Sequence, residues 1–218
     1  MPALFAQGAA PAPSPQIHIK AEEAKFQSTY WPAELAGQAA LKKGDTQTAK
    51  KNFLTARAAT EACGDTKWSE LAGTIAELGS IERDAKNYPE AQQLYKEALA
   101  LQEQHQPPDE PEVGGVLQAL ANIYMAQDQP NQAEPLLLRS VDIYEKRFAT
   151  APTPDIKAAY GRHIAWASFW LVAMATSSNR ADVAQSRCQH GMQYAKYLPA
   201  DQLDTMTRGC AEVASHGK

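Results

Sequence analysis

No stretch of this chain holds the roughly 18 consecutive apolar residues that a membrane-crossing helix needs. The longest apolar patch, Ile164 to Ala175, is too short and is interrupted by Ser168. Clustered positive charge is also lacking. The 218 residues carry 21 Lys and Arg against 25 Asp and Glu, a formal net charge of -4, so nothing electrostatic favours nucleic acid as a partner. The three cysteines show no zinc-site spacing, no His-Glu-xx-His helix occurs, and His18, His105, His163, His190 and His216 are scattered. Gly-rich phosphate loops and a Gly-x-Ser-x-Gly elbow are missing. Glu22-Glu23, Asp65 and Asp109-Glu110 read as helix caps and solvated faces, with no convergent acid–base pair. The expectation is a chain that works without catalysis, metal or cofactor.

What is present is a helix-forming composition and a period. Ala, Gln, Glu, Leu and Lys are plentiful, while Gly and β-branched residues are few, which points to an all-α fold. Apolar content of 44% and charged content of 21% are those of a folded protein, too apolar for a disordered one. The register Ala49-xxx-Phe53-xx-Ala56 recurs as Ala91-xxx-Tyr95-xx-Ala98 and as Ala133-xxx-Leu137-xx-Ser140, in steps of 42 residues. Gly44, Lys86 and Asp128 precede these runs at equivalent places, each before a short turn. A fixed period of about 20–50 residues marks a stacked repeat array, which works through an extended surface.

A fourth unit is out of step. Asn179-Arg180 makes its turn and Ala184-xxx-Cys188-xx-Gly191 takes the alanine register, 51 residues after Ala133. The nine extra residues are placed in a long helix over Pro154 to Ser177, as about two added turns.

Helices are expected over about 17–30, 32–43, 46–62, 67–85, 88–104, 111–126, 130–148, 154–177 and 201–214. Pro32, Pro89 and Pro130 suit first turns, where a missing amide hydrogen leaves no helical bond unmade. Asp65 or Thr66 is expected to cap the helix that follows. The repeat units fall at about 31–64, 65–108, 109–152 and 153–198, with a cap over 200–214, all within one domain spanning 17–214, and residues 215–218 form a tail.

Residues 1–16, MPALFAQGAAPAPSPQ, are too rich in Pro and Ala to build a core. They read either as a flexible lead or as the end of a secretory signal, with an apolar stretch meeting small residues before a Pro/Ala/Ser linker. A positive n-region is missing, so export and retention in the cytoplasm both stay open.

Over about Trp31 to Tyr197 the chain resembles tetratricopeptide repeats (TPR). Leu78-Gly79 and Leu120-Ala121 stand where that family has a large–small pair, Tyr124 fills the aromatic place that follows, and the Ala91, Tyr95, Ala98 run matches its small–large–small order. Two helices cross closely only where a small side chain meets a large one. The family's usual period is about 34. The longer step, with the linker Pro107-Pro108-Asp109-Glu110-Pro111, is similar to the long-repeat subclass typified by kinesin light chains. Glu82, where an aromatic is usual, and Lys86, where glycine is usual, depart from the pattern.

The resemblance implies a right-handed superhelical solenoid of antiparallel helix pairs, about four repeats and a C-terminal capping helix. It also implies a concave groove, lined by the first helix of each pair, that holds a peptide or helix of a protein partner. Carried onto this chain, groove positions are Glu34, Leu35, Gln38, Leu41 and Lys42 in the first unit, and Ala76, Glu77, Ser80, Arg83 and Asp84 in the second. In the third they are Gln118, Ala119, Asn122 and Met125. Asn122 is the foremost candidate, because an amide donates to and accepts from an extended backbone at once. The Lys, Asn and Arg clamp with which some relatives hold a terminal carboxylate is not reproduced in order.

Trp166, Phe169 and Trp170 share one face of the long fourth-unit helix at i, i+3 and i+4. They read as an aromatic anchor for a partner, as a self-association surface, or as packing for the added turns. A pocket around Tyr160, His163 and Trp166 is a further option. Cys188 and Cys210 each lie 11 residues from Pro199, so a hairpin centred there sets them level. They then form either a disulfide, given an oxidising compartment, or two small buried thiols.

Overall fold

The computed structural model describes residues 15–216, with side chains over 22–215. The possible signal remnant in the N-terminal lead lies outside the described residues, except that Pro15 and Gln16 open the first helix; the last two tail residues lie outside as well. The described residues form nine α-helices and two short 3₁₀ turns, with no strand among them. The fold is all-α, built from antiparallel helix pairs of TPR type. Its packing divides after Lys67 into two compact units, where the sequence reading expects one domain.

In the first unit, α1 (Pro15–Lys42) pairs with α2 (Thr46–Glu61), and a 3₁₀ turn over Gly64–Lys67 follows. Asp65 and Thr66 sit inside that turn. The expected break at Pro32 does not occur, and α1 runs through it as one helix of 28 residues. Proline there removes one i→i−4 bond, to the Ser28 carbonyl. Pro32 and Ser28 are both exposed, so water can take that carbonyl. Meanwhile Phe26, Tyr30 and Ala33, on both sides of the proline, form a single buried face with Ala56. Keeping that face straight outweighs one solvated hydrogen bond. Asp45 caps α2, its carboxylate accepting from the Thr48 amide at 3.0 Å.

In the second unit, α3 (Trp68–Asp84) pairs with α4 (Tyr88–His105), α5 (Pro111–Ala126) with α6 (Pro130–Ala149), and α7 (Pro154–Ser177) with α8 (Ala181–Met192). The last helix, α9 (Ala200–His216), packs on α8 and α7 after a 3₁₀ turn over Ala195–Tyr197. Each pair stacks on the next through α4 with α5 and α6 with α7. Eight of the nine added residues are accounted for by α7, which has 24 residues where α5 has 16.

Each turn between paired helices is built alike. Gly44, Lys86, Asp128 and Asn179 have φ of +75°, +61°, +56° and +55°. The residue after each donates back across five residues, as from Asn87 to the Glu82 carbonyl at 2.8 Å and from Arg180 to the Ala175 carbonyl at 2.8 Å. This left-handed close satisfies carbonyls that the helix end would leave without partners. It also fixes the register that follows. Ala49, Ala91, Ala133 and Ala184 are at most 1% exposed.

Candidate functional site: the first-helix face of the second unit

The turns supply a common ruler within the second unit. Counting back from Lys86, Asp128 and Asn179, the places of Ser80, Asn122 and Ala173 coincide, as do those of Glu77, Ala119 and Trp170. Ala76 and Gln118 match Phe169, and Gly73 and Gly115 match Trp166. One side of this stripe is core: Ile75, Leu78, Leu117, Leu120, Leu171 and Val172 are buried. The other side, from Ser80 through Asn122 to Ala173, reaches solvent. The same 51-residue offset therefore places Trp166, Phe169 and Trp170 on the face of α7 that corresponds to the expected groove positions of α3 and α5. That relation was present in the sequence and was missed there.

The individual groove positions differ in what they can offer. Arg83 is already engaged: its guanidinium donates to Asp84 at 2.8 Å and to the Ser80 hydroxyl at 2.9 Å. Glu77 is half-buried beside them. Asn122 is half-buried, and its amide has no hydrogen-bond partner among the described residues.

Gln118 differs from the expectation of a groove contact. It is buried, and its amide nitrogen donates to Ser140 Oγ at 2.8 Å and to the His163 carbonyl at 3.0 Å, while its oxygen meets His163 Nδ1 at 2.7 Å. The reason is the stacking of α7 on α6, which closes over this position and uses every polar atom of the amide. His163 in turn stacks on Tyr144 with ring centroids 4.4 Å apart, and Tyr160 packs on the same ring. Desolvation by burial, and then the nearby Arg162 charge, hold His163 below its ordinary pKa. The space imagined around Tyr160 and His163 is thus occupied by stacked rings.

Glu34, Gln38 and Lys42 belong to α1, in the first unit. Glu34 is buried and accepts from Gln38 at 3.0 Å, Lys42 is exposed, and Leu35 is 61% exposed.

At the far end of the second unit, α9 lies across α7 and encloses two cavities that share Phe169 as a wall. One, of about 300 Å³, is lined by Trp166, Phe169 and Trp170 with Leu198, Asp201, Gln202 and Thr205. The other, of about 580 Å³, runs from Phe169, Ala173 and Thr176 to Met206 and Val213. The position of α9 is fixed twice. Gly191 lets α8 approach so closely that a Cβ there would stand 2.6 Å from Ser168 Cβ and against Met206. Cys188 and Cys210 are joined by a disulfide with their Cα atoms 5.5 Å apart. Cys63 stands outside this bond. Among the described residues no cluster of metal-ligating side chains occurs, and no helix is long and apolar enough to cross a membrane.

Comparison with known proteins agrees with this geometry. Residues 70–146 match the tetratricopeptide repeat family. The fold is similar to that of BtubC (BKLC) from P. vanneervenii, with a TM-score of 0.67 at 14% identity over 93% of this chain and 84% of that one. It is also similar to the nearly identical TPR-like repeats assigned to a kinesin light chain of Podosopora anserina, with a TM-score of 0.57 at 16% identity over 91% and 87%. No curated protein matches the chain in sequence. Residues 70–146 thus match tetratricopeptide repeats, and the fold of the chain is a TPR-like one similar to that of kinesin-light-chain repeats. Repeats of this class generally mediate contacts between proteins.

Proposed function

We propose that this protein is a non-catalytic interaction scaffold that holds a peptide or helix of a protein partner along the first-helix face of its second unit. The observation that carries the reading is Asn122. It sits at the middle of the exposed stripe with both halves of its amide unused, as an extended backbone would require. Selection of binding peptides from a random library on the whole protein, followed by affinity measurement on an Asn122→Ala variant, tests it. Loss of one or two hydrogen bonds should weaken selected peptides by roughly fivefold or more. Peptides that bind the variant equally well, or a selection that yields none, count against the reading.

A second reading, self-association through Trp166, Phe169 and Trp170, is favoured by three half-buried rings on one solvent-facing stripe. Sedimentation at high concentration separates the two. A dimer that Trp170→Ala dissolves supports self-association, and a strict monomer removes it. The Cys188–Cys210 bond favours an oxidising compartment as the working place.

A further inference from the structure

We infer that the paired cavities between α7 and α9 form a subsite for a basic side chain of the partner, with an apolar side chain beside it. The inference rests on the groove reading above and specifies the chemistry of what the groove takes.

Three observations carry it. First, the smaller cavity, of about 300 Å³, has room for a long side chain, and three aromatic rings wall it. Trp166 meets Trp170 at an interplanar angle of 63° with centroids 6.4 Å apart, and Phe169 meets Trp170 at 71° and 5.4 Å. Rings set nearly edge to face offer π faces in more than one direction, the arrangement that attracts an ammonium or guanidinium group. Elsewhere in the chain lysines fill such places: Lys67 lies 4.6 Å from the Phe26 ring and Lys157 4.8 Å from Phe148. Among the described residues no cation lies over Trp166, Phe169 or Trp170.

Second, the charge lining these cavities is of one sign. Asp201 stands on the smaller and Glu212 on the larger, and neither is lined by any Lys or Arg. Among the described residues no basic group pairs with Asp201. This balance is local. A cavity of the first unit has the reverse, with Lys25, Lys50 and Lys51 against Glu22. A partner carrying carboxylates at α7–α9 would be repelled, and one carrying a cation would gain an ion pair with Asp201.

Third, the adjoining cavity has an apolar side. Val172, Ala184, Met206 and Val213 line it there, with Thr176, Asn179 and Glu212 elsewhere on its wall, and Phe169 separates it from the aromatic one. A segment with Lys or Arg close to an aliphatic residue would fill both at once, the cation on the Trp faces near Asp201 and the aliphatic group beyond Phe169. The disulfide and the Gly191 contact hold α9 in place, so the subsite is formed before the partner arrives.

The test uses the whole oxidised protein and fluorescein-labelled nine-residue peptides. Each carries one leucine and one test residue, Arg, Lys, Gln or Glu, placed three or four positions away. Anisotropy titrations should show the Arg and Lys peptides binding at least tenfold more tightly than the Glu peptide, and the gap should narrow as salt rises. Asp201→Asn should shrink the preference to under about threefold, and Trp170→Ala should abolish it. Trp166→Phe and a circular dichroism spectrum guard against a misfolded Trp170 variant: a folded Trp166→Phe chain with a reduced preference supports the subsite. Peptides that bind with no preference for positive charge, or a preference that Asp201→Asn leaves intact, overturn the subsite. If such binding still depends on Asn122, the groove reading survives. If no peptide of any charge binds here and the library selection also fails, both fall.

Discussion

Gly79 lies directly beneath the ring of Tyr95, whose nearest carbon is 3.2 Å from where a Cβ on that glycine would stand. The same relation recurs with a changing pair of residues. In the first unit Gly37 faces Phe53, with its would-be Cβ 2.8 Å from the ring. The third pair has Ala121 with Leu137 in one cluster, and the fourth has Val172 with Cys188. As the residue on the second helix shrinks from Phe and Tyr to Leu to Cys, its partner on the first helix grows from Gly to Ala to Val. The crossing is conserved in volume while both residues change, as close packing demands. Gly37→Ala should therefore cost about 1–2 kcal/mol, overpacking outweighing the gain in helix propensity, whereas Gly79→Ala should fall within about 1 kcal/mol of neutral. Tyr95→Leu added to Gly79→Ala rebuilds the third pair's solution. Urea unfolding of the four-member cycle should give a favourable coupling of about 1 kcal/mol. Strict additivity would show that the two positions do not share the volume.

The Cys188–Cys210 bond closes a loop with a sequence separation of 22 residues and fixes α9 against α8. A loop of that length is worth about 3 kcal/mol by restriction of the unfolded chain. Reduction, or Cys210→Ser, should lower the stability of the second unit by about that amount. Because Leu198 and Thr205 help wall the cavity at Trp166 and Trp170, loosening α9 should also shift Trp emission to the red before global unfolding. Coincident urea midpoints for oxidised and reduced protein would refute the structural role of the bond.

Much of this architecture was legible because spacing alone encodes it. The four turns, the alanine register and the long α7 follow from recurrent residues at fixed separations, and the observed bounds of α2 to α7 and of α9 lie within two residues of those read from the chain. The face bearing Trp166, Phe169 and Trp170 was legible in principle through the 51-residue offset. Other features depend on tertiary partners that no local pattern reveals. Pro32 looked like a helix start because local rules favour it there, but the buried face from Phe26 to Ala33 overrides them. Gln118 looked like a groove residue because its register says so, and only the arrival of His163 from α7 removes it. The cavities beside α9 depend on how that helix crosses α7 after Pro199, an angle that spacing does not fix.

His163 makes the second unit sensitive to acid. Burial is the main cause of its lowered pKa, and Arg162 adds to it, so the fold binds the neutral imidazole. The unfolded chain takes up a proton more readily, at an ordinary value of about 6.5. This histidine's contribution is therefore complete above that value and is lost as pH falls through the lower folded-state value. Protonation would also charge a ring stacked on Tyr144, whose own hydroxyl is pushed upward by burial. His163→Phe keeps the stack but leaves the Gln118 oxygen buried without a donor, at a cost of about 1–3 kcal/mol near pH 7.5. Its loss of stability between pH 7.5 and 5 should be shallower than that of the unaltered protein. Parallel pH profiles would mean that some other group sets the acid sensitivity.

Lys86 is the least suited of the four turn residues to its backbone. It holds φ of +61°, a conformation that glycine adopts freely at Gly44 and that the short polar chains of Asp128 and Asn179 tolerate better. The left-handed region costs a residue with a long side chain about 1–2 kcal/mol, and glycine returns roughly half of that through the larger entropy of its unfolded state. The lysine is exposed, and the bonds that close the turn are made by its main chain and by its neighbours, Lys86 N to the Arg83 carbonyl at 2.9 Å, Asn87 N to the Glu82 carbonyl at 2.8 Å and the Asn87 amide to the Glu82 carboxylate at 2.8 Å, so losing the lysine side chain sacrifices little. Lys86→Gly should therefore stabilise the protein by about 0.5–1 kcal/mol, seen as a higher urea midpoint with an unchanged slope. Lys86→Asn should fall between the two, and Lys86→Val should be the worst, because a β-branched chain crowds this conformation most. An order in which valine equals or exceeds lysine would show that strain at this turn has been released by a shift of the α3–α4 pair.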